Sequence, residues 1–170
     1  MTNSVKRDYL EINSITDLKE RIKPSDKLTV NLEDSTDFQL NKFFYKEIGK
    51  EHRWVDRLTW NNNQWIKYVN DHKVRTFILR KDDDLAGYYE QIFSEDKSEC
   101  EIAYFGILKE YFGKKFGGYL LSDAIKKSFD YGAKRVWVHT CSLDHKHALK
   151  NYLSRGMKIF KSENLSLYED

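Results

Sequence analysis

Between Phe112 and Gly118 the chain reads Phe-Gly-Lys-Lys-Phe-Gly-Gly, three glycines and two lysines between an apolar run and the helical pattern that begins at Tyr119-Leu120-Leu121. Glycine lets backbone N–H groups approach a ligand closely, and the first turn of a helix favours anions. The stretch is therefore a candidate phosphate cradle. It lacks the Gly-Lys-Ser/Thr ending of a Walker loop and the G-x-G-x-x-G spacing of a dinucleotide fingerprint. A second concentration of chemistry follows: His139, Cys141, His145 and His147 lie within nine residues. An imidazole accepts a proton near neutral pH, which makes His139 a candidate base. The same cluster raises zinc, and a Cys141 nucleophile served by His139 or His145. One strand end plus one helical turn does not easily wrap four ligands around a tetrahedron, so no metal is expected.

These residues need elements to position them. Tyr9 to Ile12 alternates and predicts a short first strand, and Asp17 to Ile22 a helical turn stopped by Pro24. Lys27 to Leu32 predicts a strand. Asp37 is placed to cap a helix running through Phe38, Phe44 and Ile48 to Gly49. Asn61-Asn62-Asn63 is placed to cap a second helix with Trp65, Ile66 and Val69 on one side. Strands at 74–80, 85–93 and 99–108, joined by short polar turns, predict an antiparallel meander. A helix with Leu121, Ala124, Ile125 and Phe129 at helical spacing follows the glycine turn. Next come a strand over 135–140, a helix over 145–155 and a closing hairpin of 157–161 with 165–168.

The composition is that of a globular protein, 40% hydrophobic and 33% charged. With 29 basic and 27 acidic residues the net charge is +2, which argues against a dedicated nucleic-acid binder. Two cysteines are too few for a disulfide framework, no apolar run reaches membrane-spanning length, and the first residues lack an apolar signal region. The expectation is one domain over 1–170, cytoplasmic, monomer or homodimer, with no nucleic-acid or membrane partner.

The glycine turn resembles the pyrophosphate loop Gln/Arg-x-x-Gly-x-Gly/Ala of the GNAT N-acetyltransferase superfamily, with Phe112 in place of Gln/Arg and Lys115 in place of the first Gly. The run Ala148-Leu149-Lys150-Asn151-Tyr152-Leu153-Ser154-Arg155-Gly156-Met157 is similar to the superfamily's Asn-x-x-Ala-x-x-x-Tyr-x-x-x-Gly-Phe helix. There Ala148, Tyr152 and Gly156 fall on pattern, while His145 stands for Asn and Met157 for Phe. The segment from Arg135 to His145 looks like a bacterial branch of that superfamily. The resemblance covers roughly residues 99–160.

The resemblance implies a mixed α+β fold, a six- to seven-stranded, mostly antiparallel sheet with a splayed parallel central pair and about four flanking helices. It implies acetyl-CoA as acyl donor, lying in the splay. Phe105, Gly106 and Ile107 would pair with the pantetheine. Phe112, Gly113, Lys114, Lys115, Phe116, Gly117 and Gly118 would meet the pyrophosphate, with His145, Ala148 and Tyr152 completing the cofactor site. Tyr152 would protonate the leaving thiolate. His139 is the expected base, with Glu101 and Glu90 as competitors through water. Trp54 and Trp60, with Tyr89 and Glu90, are the expected acceptor contacts; tryptophan suits planar groups, but three tryptophans within twelve positions suit core packing between two helices better. The expected activity is acetyl transfer to a primary amine of a small molecule or peptide by direct attack in a ternary complex. The alternative is a domain of the same fold that binds acyl-CoA without turnover.

Overall fold

The computed structural model describes residues 4–34 and 37–166. Its strands are β1 (Ser4–Ile12), β2 (Leu28–Glu33), β3 (Val74–Lys81), β4 (Asp84–Ser94), β5 (Glu99–Ile107), β6 (Arg135–Cys141) and β7 (Lys158–Ser166). Its helices are α1 (Gln39–Gly49), α2 (Asn62–Val69), α3 (Phe116–Asp130) and α4 (Ala148–Ser154). The strands form one seven-stranded sheet in the order β2-β3-β4-β5-β6-β1-β7. Only the β5–β6 pair is parallel.

Both sheet faces are covered around β3 and β4, and the sequence shows why. Successive strand residues point to opposite faces. Phe77, Leu79 and Tyr89 join the larger core under α3, with Leu120, Leu121, Ala124 and Ile125. Ile78 and Tyr88 turn the other way, against Phe44 and Ile48 of α1. Asn61 and Gln64 close a reciprocal capping box at the start of α2: the Asn61 side chain accepts from Gln64 N–H at 2.9 Å, and Gln64 accepts from Asn61 N–H at 2.8 Å. The Asp37 carboxylate accepts from Gln39 N–H at 2.9 Å, one position ahead of the α1 cap residue, Phe38.

The relationship that shapes the site is how little β5 and β6 touch. They pair at Glu99–Arg135, Cys100–Val136 and Glu101–Trp137, and then part. Beyond that point β5 stays on β4 and β6 follows β1. Ile102 pairs with Gln91 and Tyr104 with Glu90, so Ala103 is an extra residue. Such a bulge bends a strand, and this one sits where β5 leaves β6.

Four local expectations are corrected. The first strand begins at Ser4, because β1 is inserted between β6 and β7 and pairs along its whole length. The helical turn at 17–22 is a 3₁₀ turn at Ile15–Asp17, followed by irregular chain tied down by Lys19 N–H to Arg155 O (2.9 Å) and Arg21 N–H to Ser122 Oγ (2.9 Å). Helix α4 starts at Ala148, not 145: Asp144 accepts from Thr140 Oγ1 (2.6 Å) and Cys141 N–H (3.0 Å), which holds the preceding residues in a turn. The closing hairpin is a single edge strand, β7. Its polar centre reads as a turn in sequence, yet Ser162 and Glu163 bond across to Asp8 and Tyr9 of β1, both at 2.6 Å. Tyr168 lies outside the described residues. No helix among the described residues is long and apolar enough to cross a membrane.

Candidate active site

The gap between β5 and β6 opens into a cavity of about 660 Å³. The β5 edge facing it has no strand partner from Ile102 onward, so its backbone donors and acceptors are available to an extended ligand. Phe105, Gly106 and Ile107 line this edge.

Above it lies the glycine turn. Gly113 has φ +76°, and a β-carbon there would meet nothing within 4 Å. Lys115, the N-cap of α3, is also left-handed (φ +66°, ψ +15°) and gives the helix no side-chain cap. The N–H groups of the first turn of α3 thus lack the side-chain acceptor that usually closes a helix. Gly113, Lys115, Phe116, Gly117 and Gly118 line the cavity, as does Phe112, whose ring meets the His145 ring at 4.7 Å. Lys114 does not line the cavity; its Nζ lies 5.7 Å from the Tyr111 ring centre. Asn151 ties α4 to this turn by donating to Gly117 O at 3.1 Å. An open strand edge, an uncapped helix start and the open space at Gly113 and Gly117 fit a diphosphate-bearing thioester.

Tyr152 faces the cavity from α4 and is 6% exposed, its ring 6.3 Å from that of Phe105. Burial, with the Asp144 carboxylate, pushes its phenol well above the ordinary tyrosine range, so it stays protonated at working pH. Ala148 and His145 line the same wall. His139 reaches the cavity from β6, its ring 5.7 Å from Tyr9 on β1. Burial and then Arg7 lower its pKa, which keeps the imidazole neutral and able to accept a proton. Cys141 also lines the cavity, but burial and Asp144 raise its pKa, the opposite of an activated thiolate. No group of three or more His, Cys, Asp or Glu side chains among the described residues is arranged to hold a metal ion. Glu101 lies below the splay and does not line the cavity; burial raises its pKa, against Arg57.

Of the expected acceptor contacts, only Trp54 lines the cavity, where its Nε1 donates to Asp144 Oδ1 at 3.4 Å. Trp60 packs on Trp65 with ring centres 4.9 Å apart. Tyr89 is buried under α3, stacked on Phe77 and donating to Asp123 at 2.7 Å. Glu90 is fully buried, held by Arg57 (2.9 Å), Tyr68 (2.8 Å) and Asn41 (3.1 Å). None of these three side chains reaches the cavity: Trp60 and Glu90 lie in the cluster around Arg57, and Tyr89 lies on the opposite sheet face under α3. Sequence reasoning missed Arg7, Arg21, Asp56, Asp144 and Arg155, all cavity residues. Arg155 carried a signal, a cation at the C-cap of a helix otherwise read for its tyrosine; Arg7 and Arg21 lie in segments whose position in the fold only the tertiary structure reveals.

Residues 37–157 match the Acetyltransferase (GNAT) family, well over half of the chain. The chain belongs to that family. No curated protein matches it. Among solved structures, this GNAT protein is similar to an aminoglycoside acetyltransferase from an uncultured soil metagenomic sample, with 13% identity, TM-score 0.66, and 78% of this chain and 90% of that one covered. A GCN5-related N-acetyltransferase from Sphaerobacter thermophilus superposes with TM-score 0.70 and 13% identity over 93% of this chain, which spans about half (49%) of that protein. An acetyltransferase from Bacillus subtilis, solved in complex with CoA, is 22% identical with TM-score 0.58, and 76% of each chain is covered. At these identities the likeness is one of fold.

Proposed function

We propose that this GNAT protein transfers an acetyl group from acetyl-CoA to a primary amine, by direct attack in a ternary complex. The observation that carries the reading is the buried phenol of Tyr152, protonated and facing the gap where β5 leaves β6. An acetyl thioester lying along Phe105 to Ile107 supplies the electrophilic carbonyl, and the unpaired β5 backbone holds its extended arm. Acyl transfer needs a neutral amine, a polarised carbonyl and a protonated leaving thiolate. His139, kept neutral by burial, takes the proton from the amine. Tyr152 gives its proton to the sulfur. Trp54, Asp56 and Asp144 wall the acceptor side, the two carboxylates suiting a cationic amine.

The departures at Phe112, Lys115 and His145 favour a second reading, a domain that binds acyl-CoA without turnover. Thiol release from acetyl-CoA with a panel of polyamines, amino acids, aminoglycosides and peptides separates the two. Release with an amine, lost in Tyr152→Phe, supports transfer; binding of acetyl-CoA without release for any amine supports the second reading.

A further inference from the structure

Beside the glycine turn two arginines meet with no carboxylate between them. A β-carbon built on Gly118, in the first turn of α3, would lie 2.7 Å from Arg155 Nη1 and 2.7 Å from Arg21 Nε. The two nitrogens are therefore no farther apart than twice that distance, and only the missing side chain of Gly118 leaves room for both. Arg155 is 7% exposed, and its Nε and Nη1 are buried without a hydrogen-bond partner among the described residues. Both arginines line the cavity. The acidic side chain nearest in sequence to Arg21, Glu20, is engaged with Lys126 at 2.7 Å.

Such an arrangement is unfavourable as it stands. A buried guanidinium without partners forfeits its hydration, and a like charge beside it adds repulsion. Burial and Arg21 together pull the pKa of Arg155 down. The fold nevertheless enforces the pairing. Arg155 ends α4, and its carbonyl accepts from Lys19 N–H at 2.9 Å, while the Arg21 N–H is fixed on Ser122 of α3 at 2.9 Å. The 18–27 segment thus delivers one cation and α4 the other, to one point next to uncapped helix N–H groups.

We propose that Arg21 and Arg155 form a clamp that binds a phosphate group of the coenzyme A thioester. Two forked donors and a helix start are what a phosphate dianion takes, and Phe112 leaves the turn itself without a guanidinium. The inference rests on the reading that the cavity holds such a thioester, and it adds which residues supply the counter-charge. That thioester carries phosphate in two places, the internal diphosphate and the 3′-phosphate of its ribose.

The test is titration calorimetry of CoA, dephospho-CoA and inorganic pyrophosphate against the unaltered protein, Arg155→Gln and Arg21→Gln, with Tm measured with and without ligand. Each substitution should weaken CoA binding about tenfold or more, the loss expected for one charge-assisted contact. The Tm of ligand-free Arg155→Gln should hold or rise, because a buried uncompensated charge is removed. A matching loss for dephospho-CoA and pyrophosphate assigns the clamp to the diphosphate; a loss confined to CoA assigns it to the 3′-phosphate. Arg21→Gln, at a half-buried residue of a mostly exposed segment, keeps the test readable if Arg155→Gln unfolds. CoA affinities within twofold of the unaltered protein in the folded variants would overturn the clamp. Acetyl transfer with such unchanged affinities would leave the proposed function standing, whereas arginine-dependent CoA binding without transfer to any amine would do the reverse.

Discussion

Arg57 Nη1 lies 2.9 Å from Glu90 Oε1, with 6% and 0% of the two residues exposed, and the guanidinium is boxed by Tyr68 and Tyr104 rings at 4.0 and 4.2 Å. The pair fastens the 50–61 loop, which carries Trp54 to the cavity, onto the centre of the sheet. Glu90→Ala strands Arg57 in the interior. Breaking a buried pair from one side costs about 3–5 kcal/mol, so the urea midpoint should fall by that equivalent. A midpoint within experimental error of the unaltered protein would show that the loop is held by other means.

Tyr152→Phe removes a proton and keeps the ring. Packing against Phe105 should survive, leaving Tm and CoA affinity nearly unchanged. General acid catalysis contributes about 10²–10⁴-fold, so kcat should fall by that much where acyl transfer limits turnover, most at high pH, where solvent protons are scarcest. Single-turnover rates across pH measure it; near-normal rates would leave Tyr152 a packing residue.

The lowered pKa of His139 sets the sign of the pH dependence. Its imidazolium is the form that cannot take the amine proton, and burial with Arg7 disfavours that form. The acid limb of kcat/KM should thus lie below the usual histidine value of about 6.5. Arg7→Gln should move the limb upward, and His139→Gln should abolish it. The same depression makes the unfolded chain the better proton acceptor. The stability from His139 is therefore full above its unfolded value and lost as pH falls through the folded one. A limb that stays in place in His139→Gln assigns the titration to another group.

Lys115 sits at φ +66°, where an L-residue other than glycine costs about 1–2 kcal/mol. Lys115→Gly relieves this and adds chain entropy to the unfolded state, for a net gain of roughly 0.5–1 kcal/mol. Thermal unfolding reads it, and a lowered Tm would show that the Lys115 side chain makes contacts worth more than the strain.

Trp54→Ala should raise the acceptor KM more than the acetyl-CoA KM, because Trp54 lines the cavity beside Asp144. Trp60→Ala, which uncovers Arg57 rather than the cavity, should lower Tm and move both constants together. Equal effects on both constants from Trp54→Ala would take it off the acceptor wall.

The parts of the fold readable from sequence were those governed by local rules. The meander of β3, β4 and β5 announces itself through alternation and polar turns, and α2 through its Asn61 cap. The cavity's lining at Phe105 to Ile107, at Gly113, at Lys115 to Gly118 and at Tyr152 was legible because strand, turn and helix chemistry coincide there, whereas Lys114 points elsewhere. What escaped was set by distant partners. Ser162-Glu163 looks like a turn until Asp8 and Tyr9 are placed beside it. Glu90 looks like an acid available to a substrate until Arg57 arrives from the loop. Arg21 and Arg155 are 134 positions apart in sequence, and neither carries a periodic signal.

β1, the first strand, pairs with the last, with Ser162 bonded to Asp8 across 154 positions. The β2–β5 half closes through neighbours in sequence, whereas β6, β1 and β7 must wait for one another. Long-range closure is slow, and synthesis proceeds from the N-terminus. The gap between β5 and β6 is the seam between these halves. On a ribosome, β1 remains an unpaired strand until β6 and β7 emerge, and the cavity comes into being only with that final closure. A nascent chain of this protein therefore holds its meander early and completes its cavity last.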